Sequence, residues 1–369
     1  MAIEGLRYHI GFSMIKNLNL RLAETLLTRI GSEEAFFTME SHALKSLSQL
    51  PEALCTNKYR QELLERARKE ENFILSNDIE TLYFNEGYYP SRLKNCEDGP
   101  VMLYLLGSVN LEAKHIISIV GTRHATPYGI DITSRIISGL AERLNDLVVV
   151  SGLAYGIDVA AHKAALDNDI PTIAVNAHPL NTVYPADHRG VAVQMVRKGG
   201  GMLSEYNTTD MVHKGNFLAR NRIIAGISDV TIIVESDSKG GSLVTARLAQ
   251  EYNRDVFAVP GRITDKYSRG TLCLIANNKA QIFTDVDEFI EELGWQTHVE
   301  RIERELPLEI DLSPEQQSIY DFLTAHPASR VFDIVNGTGL PIGSLKNLLF
   351  EMEMNDLVIS MAGGLYSAL

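Results

Sequence analysis

Between Lys214 and Gly226 the chain reads Lys-Gly-Asn-Phe-Leu-Ala-Arg-Asn-Arg-Ile-Ile-Ala-Gly. Lys214, Phe217, Arg220 and Arg222 thus fall within nine residues, with Asn221 between the arginines. A planar apolar ring between fixed positive charges suits stacked bases and phosphates together. On a helix that starts early enough, Lys214 and Phe217 share a face at i and i+3, Arg220 follows three residues later, and Arg222 points elsewhere. The ordinary alternative is a core phenylalanine among solubilising arginines.

Three other segments carry chemistry. Val120-Gly121-Thr122-Arg123 precedes Thr126-Pro127, a threonine N-cap with proline at the first helical position. An arginine beside free N–H groups at a helix start makes an anion site, or it simply pairs with an acidic neighbour. Glu235-Ser-Asp-Ser-Lys-Gly240-Gly241-Ser242-Leu-Val-Thr245 reads as a glycine-rich strand-to-helix turn with Ser242 as N-cap. The N–H groups of Gly241 and Ser242 suit a phosphate, and an unliganded tight turn suits the same residues. The turn is neither a Walker A loop nor GxGxxG, so no dinucleotide cofactor is expected. Asp158 and His162 stand one helical turn apart; a helix-start carboxylate paired with a histidine is favoured over a catalytic or metal pair, since no third partner is evident.

These segments need elements to position them. Short β-branched runs at 115–121, 147–152, 172–176, 230–235 and 256–261 alternate with helical patterns at 128–144, 157–166, 190–197, 217–226 and 242–252. That alternation predicts a doubly wound, mostly parallel α/β sheet of Rossmann type, with ligands beyond the carboxyl ends of its strands. Before it, residues 1–65 read as short helices, with leucines at helical spacing. After it, an acidic linker at 299–311 leads to 312–369, where three helices and a terminal hairpin with a Gly-Gly turn suggest a winged helix.

Composition sets the background. The 369 residues carry a formal net charge of -13, which gives no general affinity for polyanions. The segment 189–270 nevertheless holds twelve Lys/Arg against eight Asp/Glu, whereas 285–315 holds two against eleven. No apolar run approaches the roughly 20 residues of a membrane span. The start shows no signal-peptide pattern, and Cys55, Cys96 and Cys273 form no metal-ligand spacing. A cytoplasmic protein without a metal is expected.

Taken in order, the motifs resemble the DNA-processing family DprA, also called Smf. The matching pieces are Val-Gly-Thr-Arg123 with Pro127-Tyr-Gly129, Ser151 to Asp158 with His162, Tyr184-Pro185, and Ser204-Glu205. They continue with Phe217 to Gly226, Gly241 to Arg247, Val256 to Gly261 and Ser268-Arg-Gly270. The resemblance covers about residues 80–290. It implies an extended Rossmann-like domain, here 66–298, that dimerises and binds single-stranded DNA without catalysis. The implied role is protection of incoming strands in natural transformation and loading of the recombinase RecA. By motif, Arg123, Lys214 and Phe217 would be the principal DNA contacts; Gly241, Ser242 and Thr245 would surround a phosphate; Gly121, Thr122, Arg220, Asn221 and Arg222 would complete the site.

Two regions depart from the family pattern. The N-terminal segment resembles a helix-hairpin-helix region, but Lys16-Asn-Leu-Asn-Leu20 lacks the glycine-rich hairpin that grips a phosphate backbone. The presumed recognition helix Ile342–Met354 has one lysine and two glutamates, poor for duplex binding. Two other functions compete. A LOG-type nucleotide phosphoribohydrolase has a related fold, yet Leu248 stands where its pattern wants glutamate. A winged-helix transcriptional regulator would bind duplex more tightly than single strands.

Overall fold

The computed structural model describes residues 5–297, 312–327, 329–355, 357–361 and 365–368. The acidic linker and the Gly363-Gly364 turn lie outside the described residues. The chain divides into two compact units, 1–300 and 301–369.

The first unit is built on a nine-stranded sheet: β1 (Glu80–Tyr83), β2 (Met102–Gly107), β3 (His115–Val120), β4 (Leu147–Ser151), β5 (Thr172–Val175), β6 (Gly201–Ser204), β7 (Val230–Ile233), β8 (Asp255–Ala258) and β9 (Gln281–Ile282). Their order is β1-β2-β6-β5-β4-β3-β7-β8-β9. From β6 to β9 every pairing is parallel, whereas β1 and β2 join antiparallel. The expected mostly parallel, doubly wound α/β sheet is therefore present. The five β-branched runs become β3, β4, β5, β7 and β8. Strands β1, β2, β6 and β9 lack such runs: β6 opens on glycine, β9 is two residues long, and β1 is an edge.

All residues of β3, β4, β5 and β7 are buried, as both covered faces of a parallel sheet require. The helices Pro127–Arg143 and Ile157–Asp167 pack with one face around Ile117, Ile136, Val149 and Ile232. The helices Lys214–Ile227 and Ser242–Glu251 cover the other through Ile223, Ile224, Ala246 and Ala249. The chain winds outward from β3 to β6, then resumes at β7 on the other side of β3. This β3/β7 boundary is a topological switch point, where loops diverge and leave a crevice.

Short helices precede the sheet, including Leu6–Ser13, Leu20–Ile30 and Glu33–Thr38. Asn19 caps the second by accepting from the Leu22 N–H at 2.9 Å. The helix Asn57–Ser76 runs through the expected boundary at 65/66, and Phe12, Leu26 and Phe36 share one hydrophobic core with Leu103 of β2 and Val175 of β5. Apolar packing is thus continuous from these helices to the sheet.

The second unit has helices Pro314–Ala325, Val331–Thr338 and Ile342–Met354 around Ile319, Ile334, Leu345 and Leu349. A capping box at Ser313 and Gln316 opens it. Strands Val358–Met361 and Leu365–Ala368 pair antiparallel, and Ser329–Arg330 joins the edge of the second. Three helices and a small antiparallel sheet are consistent with the winged helix expected at 312–369.

Candidate nucleic-acid interface

The loop after β3 and the loop after β7 lie side by side because their strands are neighbours. The Thr122 N–H donates to the Glu235 carbonyl at 2.7 Å. The buried Glu235 carboxylate accepts from the Thr126 N–H at 2.9 Å and from Thr126 Oγ1 at 2.6 Å. Thr126 Oγ1 accepts in turn from the Gly129 N–H at 3.2 Å, capping the helix Pro127–Arg143. One acidic side chain therefore fixes the loop that carries Arg123. Gly121 has no room for a side chain, since a Cβ there would lie 2.5 Å from Ile157 Cγ1.

Between these loops is a cavity of about 240 Å³. Of the sequence-predicted residues, Gly121, Thr122, Arg123, Phe217, Arg220, Asn221, Gly241, Ser242 and Thr245 line it. The Arg123 guanidinium carbon lies 5.7 Å from the Phe217 ring centroid, within cation–π range. Tyr184, 54% exposed, stands edge-on to the same ring with centroids 5.6 Å apart. Phe217 is half-buried, so it is a wall of the crevice rather than a core residue.

The phosphate-sized corner belongs to the turn before Ser242–Glu251. Gly241, not Ser242, occupies the N-cap, at φ -62° and ψ -28°. Ser242 is the first helical residue, and its hydroxyl donates to Ser236 Oγ at 2.9 Å. The correction follows from burial: a serine enclosed at this point satisfies its hydroxyl inward. Among the described residues no acceptor meets the N–H of Gly241 or Ser242. These donors at the positive end of a helix dipole suit an anion. Asp237 also lines the cavity; its carboxylate accepts from the Ser238 N–H at 2.7 Å and lies 3.6 Å from Lys266 Nζ. Those contacts, the backbone bond foremost, hold it below the usual carboxylate range.

The cationic cluster divides. Lys214 is exposed at the first position of the helix Lys214–Ile227, outside the cavity lining but on the Phe217 side at i and i+3. The segment leading to it is pinned from the N-terminal side: Glu70 accepts from the Thr208 N–H at 2.6 Å, and Arg66 pairs with Asp210 at 3.0 Å. Arg222 faces away from the cavity and pairs with Glu205 at 2.5 Å. Burial works against its charge, but Glu205 and Asp98 outweigh that and hold its pKa up.

Arg220 is 4% exposed and donates to the carbonyls of Gly152 (3.0 Å) and Val175. Burial draws it down to about 10 against the opposing pull of Asp158. Its head therefore ties the ends of β4 and β5 together. The family resemblance implies Arg220 as a DNA contact, and no local spacing registers that two strand-end carbonyls lie within its reach.

The expected Asp158–His162 pairing is absent. His162 Nδ1 lies 2.7 Å from Thr172 Oγ1, and burial pushes the ring down to about 3. Asp158 turns to the opposite side. A Cβ on Gly152 would lie 2.7 Å from Asp158 Oδ2 and 2.5 Å from Arg220 Nη2, so the two charged groups flank that glycine. Burial raises the Asp158 carboxyl, and Arg220 and the amides of Ala154 and Gly152 oppose the rise. Among the described residues no group of three or more His, Cys, Asp or Glu is placed to hold a metal ion.

Tyr184 borders the Phe217 ring and Leu218 and Asp237 line the cavity, although no motif marks any of the three as a ligand. The available signal for Tyr184 was an aromatic beside Pro185 in a loop at a strand end.

A doubly wound sheet with an arginine, an aromatic wall and a helix N-terminus at its switch point defines a protein of Rossmann-like architecture. A family model described as DNA recombination-mediator protein A matches residues 80–294, and the chain belongs to that DprA family. Protein Smf of Escherichia coli (strain K12) is 34% identical over 283 residues, covering 75% of this chain and 74% of the relative. The match to the putative DNA processing protein DprA of Mycobacterium tuberculosis, also 34% identical, spans 64% of that relative, just under two thirds of its length. Among solved structures, DNA processing protein A from Streptococcus pneumoniae is 30% identical, with a TM-score of 0.64 over 78% of this chain and 97% of that one. DNA processing protein A from Helicobacter pylori, described for its single-stranded DNA binding mode, is 36% identical, with a TM-score of 0.52 over 58% of this chain and 95% of that one.

Proposed function

We propose that this chain binds single-stranded DNA across the switch-point crevice, without catalysing a reaction. The observation that carries the reading is the Arg123 guanidinium 5.7 Å from the Phe217 ring centroid, on a cavity that also exposes the Gly241 turn. A base stacks on the ring while a backbone phosphate meets Arg123, Lys214 and the free N–H groups, and every base has a π-face, so binding tolerates sequence. The likeness to the Helicobacter pylori protein supports the same ligand.

The buried polar residues beneath the crevice support a binding role over an enzymatic one. Asp158 is enclosed beside Arg220, and His162 stays neutral at any ordinary pH. The turn of a phosphoribohydrolase would need a carboxylate where Leu248 stands. By family membership we further assign protection of incoming strands in natural transformation, delivery to RecA, a homodimer formed through the Rossmann-like unit, and a cytoplasmic location. Among the described residues no helix is long and apolar enough to cross a membrane.

The test is a titration of fluorescent oligothymidine at several salt concentrations, with duplex of the same length as competitor and mass determination of the complex. Salt-sensitive binding that duplex does not displace supports the reading. Preference for duplex moves the function to the winged helix, and release of free base from nucleoside monophosphates revives the enzyme. RecA nucleation on strands pre-coated with single-strand binding protein, with and without this chain, tests the delivery role.

A further inference from the structure

A second cavity, of about 560 Å³, lies near the β1/β2 side of the sheet, away from the switch point. Its floor is a cross-strand pair, Leu106 of β2 opposite Met202 of β6. Such directly opposed residues share one face of the sheet. One wall is the helix Arg189–Arg197, which contributes Ala192, Val193 and Val196. The other is the stretch after β5, through Leu180, Val183 and Ala186.

The residues here form a small hydrophobic cluster of their own around Ala192, Met195 and Met202. Ala186 and Ala192 are the smallest residues on the walls, and they leave unfilled the volume that larger side chains would occupy. Val193, 42% exposed, stands at the mouth. The volume falls within the roughly 300–1,000 Å³ of small-molecule sites, which combine apolar walls with a few placed polar groups.

Those groups are Arg189 and Arg197, at the two ends of the helix that forms the wall. At about 1.5 Å per residue they stand roughly 12 Å apart along its axis, with Val193 midway. Both are exposed, and among the described residues neither enters an ion pair or a side-chain hydrogen bond. The adjacent cation is matched: Lys198 pairs with Asp169 at 2.6 Å. In a chain of net charge -13, two unmatched arginines flanking an apolar cavity are complementary to a molecule that is apolar at one end and anionic at the other.

We propose that this cavity is a binding site for a small amphipathic anion, whose ring system or medium-length acyl chain lies on Leu106 and Met202 and whose carboxylate or sulfonate meets Arg189 or Arg197. The cavity shares no lining residue with the crevice, although Tyr184 of its wall stretch borders Phe217, and its test does not depend on DNA binding. The probe is 8-anilinonaphthalene-1-sulfonate, with decanoate as competitor and N-phenyl-1-naphthylamine as an uncharged counterpart. One sulfonate dye binds per chain and decanoate displaces it. Val193→Trp, which fills the mouth, weakens the dye at least tenfold; Val193→Asp, an exposed change the fold accommodates, does the same through charge if the tryptophan variant does not fold. The Arg189→Gln/Arg197→Gln double variant weakens the sulfonate about tenfold and leaves the uncharged dye unchanged. Phe217→Ala leaves both dyes unaffected. Non-saturable dye binding, binding indifferent to folded Val193 variants, loss of binding in Phe217→Ala, or equal loss of both dyes in the arginine variant overturns the proposal.

Discussion

The Arg123 guanidinium lies 5.7 Å from the centroid of the Phe217 ring, although the two residues reach the crevice from different elements: a loop after β3 and the helix that precedes β7. The strand order brings them together, since β3 and β7 are hydrogen-bonded neighbours. The pairing sets a charge and a π-face side by side on the crevice wall, and the half-exposed Tyr184 edge extends that wall.

Phe217→Ala is expected to cost about 1–3 kcal/mol in single-strand affinity, the typical loss of one stacked base. Arg123→Ala should flatten the slope of log affinity against log salt by about 0.7, as one phosphate contact does for single strands. A double-mutant cycle should give a coupling of about 0.5–1 kcal/mol from their contact. Anisotropy titrations at four salt concentrations measure all three, and parental binding by both single variants sinks the site.

Arg220→Ala and Arg222→Ala should act on folding instead. Removing Arg220 strands the carbonyls of Gly152 and Val175 and leaves Asp158 uncompensated. Removing Arg222 leaves Glu205 half-enclosed without its cation. Losses of roughly 3 kcal/mol are expected for breaking such buried arrangements. Urea denaturation reads them; a stable Arg222→Ala protein with a reduced salt slope would return that arginine to the DNA site.

Gly241→Pro removes one backbone donor from the crevice. The native φ of -62° already matches proline, and a Cβ there meets no atom within 4 Å. Circular dichroism should show a retained fold, while affinity falls by about 1.5–3 kcal/mol if that N–H meets a phosphate. Unchanged affinity in the folded variant would place the phosphate elsewhere.

Stability should decline as pH falls from about 6.5. His162 titrates near 6.5 when unfolded and at about 3 in the native chain. In this window the unfolded state binds the proton and the native state does not, which favours unfolding by up to about 1.4 kcal/mol per pH unit. His178 and His115, also lowered by burial, act with the same sign. Asp158, whose carboxyl is raised, acts in the opposite sense: its contribution is present at low pH and is lost as pH rises through the native value. Urea melts of the parent and of His162→Gln at about pH 7.5 and 5 separate the terms; equal pH dependence of the two proteins would refute the assignment to His162.

The parallel sheet and its crossover helices are legible from local sequence, and the family motifs add nine residues that line one cavity out of the eleven proposed for the crevice or its rim. The reason is local: buried parallel strands demand unbroken β-branched runs, and a Gly-Gly-Ser turn or a Thr-Pro helix start is legible from a few adjacent residues. Tertiary structure alone decided which cations face solvent. Lys214, Arg220 and Arg222 sit on one short helix, yet Arg220 is spent on strand-end carbonyls, Arg222 on Glu205, and Lys214 remains exposed. Their fates depend on acceptors brought in from β4, β5 and the end of β6, and on a strand order that no local periodicity encodes. The same holds for Asp158 and His162: helical spacing allowed them to meet, but burial between different neighbours sent one toward Arg220 and the other to Thr172.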